Sequence, residues 1–265
     1  MQIVIIGGGN IGSAIARGLS QGSFFKPNDI TVIDIHEAPL QAIKAFNPAI
    51  NTVSGNYNSI EAADIVLLAV KPWLVKEVIL NIKFHLDYEK HILISIAAGI
   101  SIEEINKTLL KTSEKTALPV LFRMIPNTAI AVKQSVNLIS SHNASSEQEE
   151  LLLKIFNELG CAFLLDESKL ATGTALTSCG IAYLFRYVRA ATLAGVELGF
   201  YPQDAQNMVV KTMLGAAALL DNTQTNPEVE IDKVTTPGGI TIKGLNELEN
   251  NGFSSAIVKA IKASK

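Results

Sequence analysis

The sequence has little cysteine and no surplus of basic charge, and each shortage excludes a class of protein. Its two cysteines, Cys161 and Cys179, stand among apolar neighbours, a setting typical of buried, reduced thiols rather than of disulfides. We therefore expect a reducing compartment. The 22 basic residues are scattered singly among 25 acidic ones, and without a basic stripe we predict no nucleic-acid partner.

Long apolar runs and metal-ligand clusters are also missing from the sequence. The longest apolar runs, such as IVLLAV at residues 65–70, fall far short of the roughly 18 residues that a membrane helix needs. The start, MQIVIIGGGN, does not read as a secretory leader. Because His36, His85, His91 and His142 show no ligand spacing, we expect solvated imidazoles and no metal. We predict a soluble, cytoplasmic protein without a membrane partner.

What the sequence does contain is an alternation of strand and helix patterns over residues 1–165. The strand patterns are QIVII, ITVID, DIVLLAV, HILISIA, VLFRMI and CAFLL. Nearly unbroken apolar strands that alternate with helices predict an α/β domain with a mostly parallel sheet. After Asp166 only helical patterns remain, which predicts an all-α domain over residues 166–265.

One segment of the second domain, VVKTMLGAAALL at residues 209–220, is apolar over much of its helical circumference. A domain of about 100 residues has little chain of its own to cover such a helix. We expect a partner subunit to cover it. The alternative is a helix buried within its own domain.

The first strand runs into a glycine-rich turn, IVIIGGGNIGSAIARGL, that a helical pattern follows at once. In the G-x-G-x-x-G spacing, the first glycine allows a tight turn, the second a close approach to a pyrophosphate, and the third close packing of helix on sheet. The phosphates would meet free N–H groups at the helix N-terminus. The turn predicts a dinucleotide site whose cofactor-binding residues are Gly7, Gly9, Asn10, Ile11 and Gly12.

Asp34 closes the second strand and bears on the choice of nicotinamide cofactor, NADPH or NADH. A carboxylate at this place accepts hydrogen bonds from ribose hydroxyls and repels a 2′-phosphate. No arginine follows closely in the run DIHEAP. We therefore predict that NADH serves at least as well as NADPH, unless the carboxylate turns to solvent.

Four further segments follow in order: AVKPW at 69–73, SIAAGIS at 95–101, MIPNTAI at 124–130 and TTPGGITIKGL at 235–245. With the glycine turn they resemble the pyrroline-5-carboxylate reductase family, whose members reduce 1-pyrroline-5-carboxylate to L-proline with a hydride from NAD(P)H. The resemblance spans the whole chain. It implies a Rossmann domain over 1–165 and a helical substrate and dimerisation domain over 166–265. It also implies a homodimer, or a higher homo-oligomer built from dimers, with substrate near the subunit interface.

The same resemblance assigns further residues to the cofactor. The residues after the fourth strand would line the nicotinamide side, the next loop would close over the cofactor, and an asparagine would contact the adenosine ribose; they are Ala69, Lys71, Pro72, Ala97, Ala98, Gly99 and Asn56. Two alternatives stay open, because Lys71 could be an ordinary solvated lysine and Pro72 could simply start a helix.

The last segment, TTPGGITIKGL, has no acid, histidine or cysteine, and this fits an imine substrate. A cyclic imine is basic enough to arrive protonated or nearly so, whereas a ketone needs a positioned acid. Thr241 resembles the family's catalytic threonine, which hydrogen-bonds the imine nitrogen. The N–H groups of a helix N-terminus suit the substrate carboxylate, so we expect substrate binding by Thr236, Gly238, Gly239 and Ile240. Alternatively, Thr236 is only an N-cap and the glycines only a turn.

The chain departs from the family pattern at Ile240, Cys179 and Ile181, where small or rigid residues are usual, and this puts the substrate range in question.

Rival interpretations of the function remain. A β-hydroxyacid dehydrogenase would carry a lysine four residues after Gly180, where this chain has Leu184. A reductase of another cyclic imine and a non-catalytic dinucleotide-binding protein stay open as alternatives.

Overall fold

The computed structural model describes residues 1–110 and 118–265, and this part of the chain divides into two compact units, Met1–Ser178 and Cys179–Lys265. The strands of the first unit are β1 (Ile3–Ile6), β2 (Ile30–Asp34), β3 (Asn51–Ser54), β4 (Ile65–Leu68), β5 (Ile92–Ser95), β6 (Val120–Ile125), β7 (Ser135–His142) and β8 (Gly160–Leu164). Its helices are α1 (Asn10–Leu19), α2 (Glu37–Phe46), α3 (Val75–Ile82), α4 (Ile102–Leu109), α5 (Ser146–Asn157) and α6 (Glu167–Thr174).

Within the described residues these strands form one sheet in the order β3-β2-β1-β4-β5-β6-β7-β8. Every neighbouring pair is parallel except β6 and β7, which run antiparallel. The mostly parallel α/β prediction is confirmed. The chain reverses its direction of strand addition between β1 and β4, and such a switch point opens a crevice at the carboxyl ends of the strands.

The central strands are buried on both faces, which explains their unbroken apolar sequences. Strands β1, β4 and β5 are buried at every position. Alternate side chains enter two apolar clusters, one containing Ile3 and Ile5 and the other Val4 and Ile6. The two clusters hold the helices against opposite faces of the sheet.

Two strands do not appear among the predicted ones. β3 is a short edge strand without a buried position, so its sequence NTVS lacks an apolar signal. β7 carries the buried polar residues Ser135, Asn137 and Ser140, which interrupt its apolar pattern. Asn137 is accommodated because its Nδ2 donates to the Phe156 carbonyl at 2.9 Å.

The second unit is helical throughout, as predicted. It contains α7 (Gly180–Glu197), α8 (Pro202–Thr223), α9 (Pro227–Lys233), α10 (Ile240–Asn250) and α11 (Phe253–Ala263). In α8 only Ala205 is buried, while Met208, Leu214 and Leu219 are more than half exposed. The alternative that this helix is buried within its own domain is therefore wrong.

The helix α6 precedes the division into compact units, although it follows the predicted domain boundary at residue 165. It packs against β6 and β7 of the first unit. A π-helical turn, Ala175–Cys179, then leads into α7. The functional division at residue 165 stays a prediction.

Two expectations about single side chains are wrong. Cys161 is exposed rather than buried, because β8 is the last strand of the sheet and its face carrying Cys161 and Phe163 is open; both cysteines are free thiols. His91 is only 2% exposed rather than solvated. It lies directly before the central strand β5, and its Nδ1 accepts the Asp87 N–H at 2.9 Å.

Within residues 1–110 and 118–265, no helix is long and apolar enough to cross a membrane. That part of the chain also contains no group of three or more histidine, cysteine, aspartate or glutamate side chains that could hold a metal ion.

Candidate functional site

A cleft of about 710 Å³ opens at the carboxyl ends of the strands, at the switch point of the sheet. Its walls are the glycine turn after β1, the end of β2, the segment after β4 and the segment after β5. Ligands of open α/β sheets bind at this position. The strand order therefore places the predicted dinucleotide turn in the wall of this cleft.

The first glycine of the turn is required by the backbone. Gly7 has φ +108°, and a Cβ at this position would lie 2.5 Å from the Ala69 carbonyl oxygen. Its N–H donates to the Ile33 carbonyl at 2.7 Å. The third glycine is required by packing, because a Cβ on Gly12 would lie 1.9 Å from the Gly7 carbonyl oxygen. Together they bring the start of α1 against the end of β1.

The second glycine faces open space. A Cβ on Gly9 would meet no atom within 4 Å. Gly9 is the N-cap of α1 without a side-chain hydrogen bond, so the first N–H groups of the helix are left for a ligand. A pyrophosphate fits this cradle, since it needs a close backbone approach and free donors at a helix N-terminus.

Asp34 is fixed at the rim of the cleft. Its Oδ2 accepts the Gly8 N–H at 2.6 Å and its Oδ1 accepts the His36 N–H at 2.8 Å. The carboxylate therefore does not turn away to solvent but is tied to the glycine turn. Each oxygen keeps a further lone pair that can accept a ribose hydroxyl, and the negative charge opposes a phosphate at the same place.

Most of the predicted cofactor-binding residues lie in the walls of this one cleft: Gly7, Gly9, Asn10, Ile11, Asp34, Ala69, Lys71, Pro72, Ala97 and Ala98. Pro72 also begins a 3-10 helix, Pro72–Leu74, with Lys71 as its N-cap. Pro72 therefore both starts a helix and lines the cleft.

Three predicted cofactor residues do not line the cleft. Gly12 acts behind the turn, through packing. The Asn56 Oδ1 accepts the Asn58 N–H at 2.8 Å, so this side chain supports its own loop. Gly99, at φ +78°, stands at the turn after β5, one residue beyond the lining residue Ala98.

The sequence prediction missed one wall of the cleft, formed by Tyr57, Leu74, Glu77, Val78 and Asn81. Burial raises the pKa of the Tyr57 hydroxyl, with smaller contributions from the Glu77 and Asp34 charges. The spacing of Leu74, Val78 and Asn81 on one side of a helix is the signal that could have found part of this wall.

The segment MIPNTAI is held by side-chain hydrogen bonds in the first unit. Asn127 is buried; its Oδ1 accepts the Ala129 N–H at 3.1 Å and its Nδ2 donates to the Thr177 carbonyl at 3.2 Å. The Ser178 hydroxyl donates to the Pro126 carbonyl at 3.3 Å. Asn127 thus connects the loop after β6 to the π-helical turn.

The second predicted site, at the start of α10, belongs to the second unit. The Gly239 N–H donates to the Thr236 carbonyl at 2.9 Å, and Gly238 has φ +72°, as in a turn with proline second and glycine third. The N-cap of α10 is Gly239. The alternative that Thr236 caps this helix is therefore wrong.

This turn leaves hydrogen-bond donors and a hydroxyl group on the surface of the second unit. The first turn of α10 has no side-chain cap, so its N–H groups have no intrahelical acceptor and suit an anion. Thr241 is exposed, and Ile240 beside it is 86% exposed. The arrangement can bind a carboxylate and donate a hydroxyl hydrogen bond, but it supplies no acid or base.

Two protein-family models match this chain, one over each of the two candidate sites. Residues 167–265 match the family model described as pyrroline-5-carboxylate reductase dimerisation. Residues 2–99 match the model described as NADP oxidoreductase, coenzyme F420-dependent. The first match covers α10, and the second covers the glycine turn, Asp34 and the segment after β4.

Similar whole chains have the same description. Pyrroline-5-carboxylate reductase 1 of Dictyostelium discoideum is 38% identical over 274 residues, which cover 99% of this chain and 48% of that protein; this chain spans about half its length. Pyrroline-5-carboxylate reductase 2 of the same organism is 36% identical, with 98% and 89% covered. The solved pyrroline carboxylate reductase of Plasmodium falciparum, with NADP bound, has a TM-score of 0.86 at 26% identity, covering 100% of this chain and 95% of that one.

Proposed function

The chain belongs to the pyrroline-5-carboxylate reductase family, and we propose that it reduces 1-pyrroline-5-carboxylate to L-proline, the last step of proline biosynthesis, with NADPH or NADH. One observation carries the proposal. The chain combines an open glycine turn on a cofactor cleft with a helix N-terminus whose turn, Thr236–Gly239, lacks any acid or base. That combination suits hydride transfer to an already protonated imine.

The first unit has the task of holding the cofactor. When bound, NAD(P)H supplies the hydride. The free N–H groups of α1 next to Gly9 bind the pyrophosphate, and the Asp34 carboxylate accepts hydrogen bonds from a ribose. Ala69, Pro72 and Ala97 exclude water from the nicotinamide side, since water exclusion strengthens the electrostatic interactions inside such a site.

The second unit has the task of holding the substrate. The N–H groups at the start of α10, together with Thr236, Gly238, Gly239 and Ile240, bind the substrate carboxylate and ring. The Thr241 hydroxyl hydrogen-bonds the imine nitrogen and fixes its orientation, which matters because hydride transfer depends on alignment of the reacting atoms.

The proposal includes the organisation of the molecule. Residues 1–165 form the dinucleotide-binding domain, and residues 166–265 form a substrate and dimerisation domain that makes a homodimer or a larger oligomer of dimers. The dimerisation description of residues 167–265 and the exposed apolar side chains of α7 and α8 support the dimer. The two free thiols suit the reducing cytoplasm.

Two alternatives remain for the experiment to separate. Ile240 adds an apolar side chain at the substrate turn, and this favours testing another cyclic imine as substrate. A dinucleotide-binding protein without turnover would keep the first site and have no use for Thr241.

The test is an assay of NADH and NADPH oxidation with pyrroline-5-carboxylate and a six-membered cyclic imine in parallel. We expect turnover with the five-membered substrate. We expect Thr241→Ala to lower kcat about 100-fold and Thr241→Ser to restore most of it, because one positioned donor contributes about 10²-fold. Activity with the six-membered imine alone would favour the second substrate. Cofactor binding without oxidation of either cofactor would contradict the enzyme proposal.

A further inference from the structure

A second cleft, of about 570 Å³, runs along α1 between α2 and the short helix Thr128–Val132. We call it the α1 groove; its walls include Arg17 and Gln21 of α1, Phe46 of α2, and Lys133. It shares Gly9 and Asn10 with the cofactor cleft, and its other lining residues are different. A volume of this size accommodates a small molecule.

The charged residues that line the groove are all basic. Arg17 and Lys133 line it, and no aspartate or glutamate does. The ion pairs found within the described residues use other cations, among them Arg123 and Lys233, and leave this pair without a carboxylate. In a chain with a net charge of −3, a concave surface carrying only positive charges attracts an anion.

The Arg17 side chain is held in place before any ligand binds. Its guanidinium carbon lies 5.3 Å from the centre of the Phe46 ring, a stacking distance for a cation on an aromatic face. An Nη2 hydrogen points to the Ala42 carbonyl at the long distance of 3.4 Å. The buried Nε has no hydrogen-bond partner in the part of the chain that the structure describes. The planar donor group is therefore oriented, with hydrogen-bonding capacity to spare.

Lys133 also lines the groove, and its backbone is left-handed. Its φ is +57°, and its N–H donates to the Ile130 carbonyl at 3.2 Å, where it ends the short helix. Helices commonly end on a residue in this conformation. The end of the short helix therefore fixes the backbone from which the lysine side chain extends.

We propose that the α1 groove binds a phosphate monoester, with the phosphate between Arg17 and Lys133, while the dinucleotide occupies its own cleft. Two cations match the double charge of a phosphate, and the guanidinium fork matches its oxygens. The apolar wall of Pro39, Ala42 and Phe46 receives the organic part. This inference goes beyond the reductase activity and does not rest on it.

The test uses the full chain saturated with NADH. Inorganic phosphate and glycerol 3-phosphate are titrated by isothermal calorimetry at an ionic strength fixed with sodium chloride. We expect saturable binding of both, with the monoester binding at least as tightly. Arg17→Gln and Lys133→Asn should each weaken it about tenfold, the loss expected from one charge-assisted contact.

The control is Lys44→Gln, which removes the same charge from α2 at a position outside the groove; it should leave binding unchanged. Asparagine tolerates the backbone conformation of Lys133, so that variant decides the question even where Arg17→Gln fails to fold. The proposal is overturned by absence of saturable binding, by competition between phosphate and NADH, or by an equal loss in the control.

Discussion

At the scale of single residues, Asp34 is the group that connects the glycine turn with cofactor choice. Its two oxygens accept hydrogen bonds from the N–H groups of Gly8 and His36. The carboxylate therefore cannot move aside for the 2′-phosphate of NADPH without losing both hydrogen bonds. The sequence predicted the charge at this position, and the backbone geometry adds the reason that it stays there.

We expect Asp34→Asn to lower the ratio of kcat/KM for NADH over NADPH about tenfold, because the substitution removes the charge that repels a 2′-phosphate. Steady-state kinetics with both cofactors measures the ratio. Asp29→Asn makes the same chemical change before β2, at a residue that does not line the cleft, and should leave the ratio unaltered. A native enzyme preferring NADPH by more than about tenfold would refute this account of Asp34.

His91 makes the stability of the first unit depend on pH. Burial lowers its pKa, and the Lys90 charge adds to this, while Asp87 and Asp64 partly oppose it. The folded protein therefore holds His91 neutral at a pH where the unfolded chain, with a pKa near 6.5, already takes up a proton. Its contribution to stability is present above about pH 6.5 and is lost as the pH falls further.

We expect the free energy of unfolding of the native chain to fall more between pH 7.5 and 5.5 than that of His91→Asn. Asparagine keeps an oxygen to accept the Asp87 N–H but does not titrate. Urea unfolding at both pH values measures the difference. Parallel pH dependences of the two proteins would show that His91 does not contribute.

At the scale of secondary-structure elements, Glu167 connects β6, α4 and α6. Its Oε1 accepts the Arg123 guanidinium of β6 at 2.7 Å and the Ile102 N–H at the start of α4 at 2.8 Å, and the residue itself begins α6. The loop before α4 includes the cleft residues Ala97 and Ala98. One carboxylate thus fixes the cofactor loop against the sheet.

We expect Glu167→Gln to destabilise the protein by about 2 kcal/mol, since it leaves the largely buried Arg123 guanidinium without its counter-charge, and to raise the KM for the cofactor more than it lowers kcat. Glu103→Gln on α4 breaks only the exposed pair with Lys107 and should change neither quantity measurably. Thermal unfolding and cofactor kinetics on both variants decide this. Equal effects from the two would contradict the connecting role of Glu167.

The predictability of elements follows their burial. The strands β1, β4 and β5 are apolar at every or nearly every position because both faces are covered, and the sequence predicts them. β7 lies in the same sheet but buries Ser135 and Asn137 with side-chain hydrogen bonds. The partners, Asn127 and Phe156, lie 8 and 19 residues away in sequence and outside the strand, so the local pattern does not indicate that a polar strand can be buried there.

At the scale of the whole molecule, the second unit leaves large apolar side chains exposed on the single chain. Leu184, Phe185 and Leu193 of α7 are each more than half exposed, as are Leu214 and Leu219 of α8. Large apolar side chains exposed on two helices that contact each other mark an association surface. The proposed homodimer would cover this surface with a second copy of the chain.

We expect sedimentation to show a dimer or a larger assembly of dimers. Leu214→Glu should shift the protein toward the monomer, because a buried unpaired charge opposes association. Gln203→Glu adds the same charge in the first turn of α8, where acidic residues are favourable, and should leave the assembly intact. A native protein that sediments only as a monomer would contradict the dimer.

The sequence by itself determined the α/β and all-α halves, the glycine turn, Asp34 and the threonine-containing turn, because these depend on local periodicity, spacing and backbone freedom. Only the tertiary structure decided which residues complete the cleft around Tyr57 and Asn81, that His91 is buried and Cys161 exposed, and that Arg17 stacks on Phe46. Burial and charge pairing depend on which distant segments pack together, and packing is a property of the folded chain rather than of any segment within it.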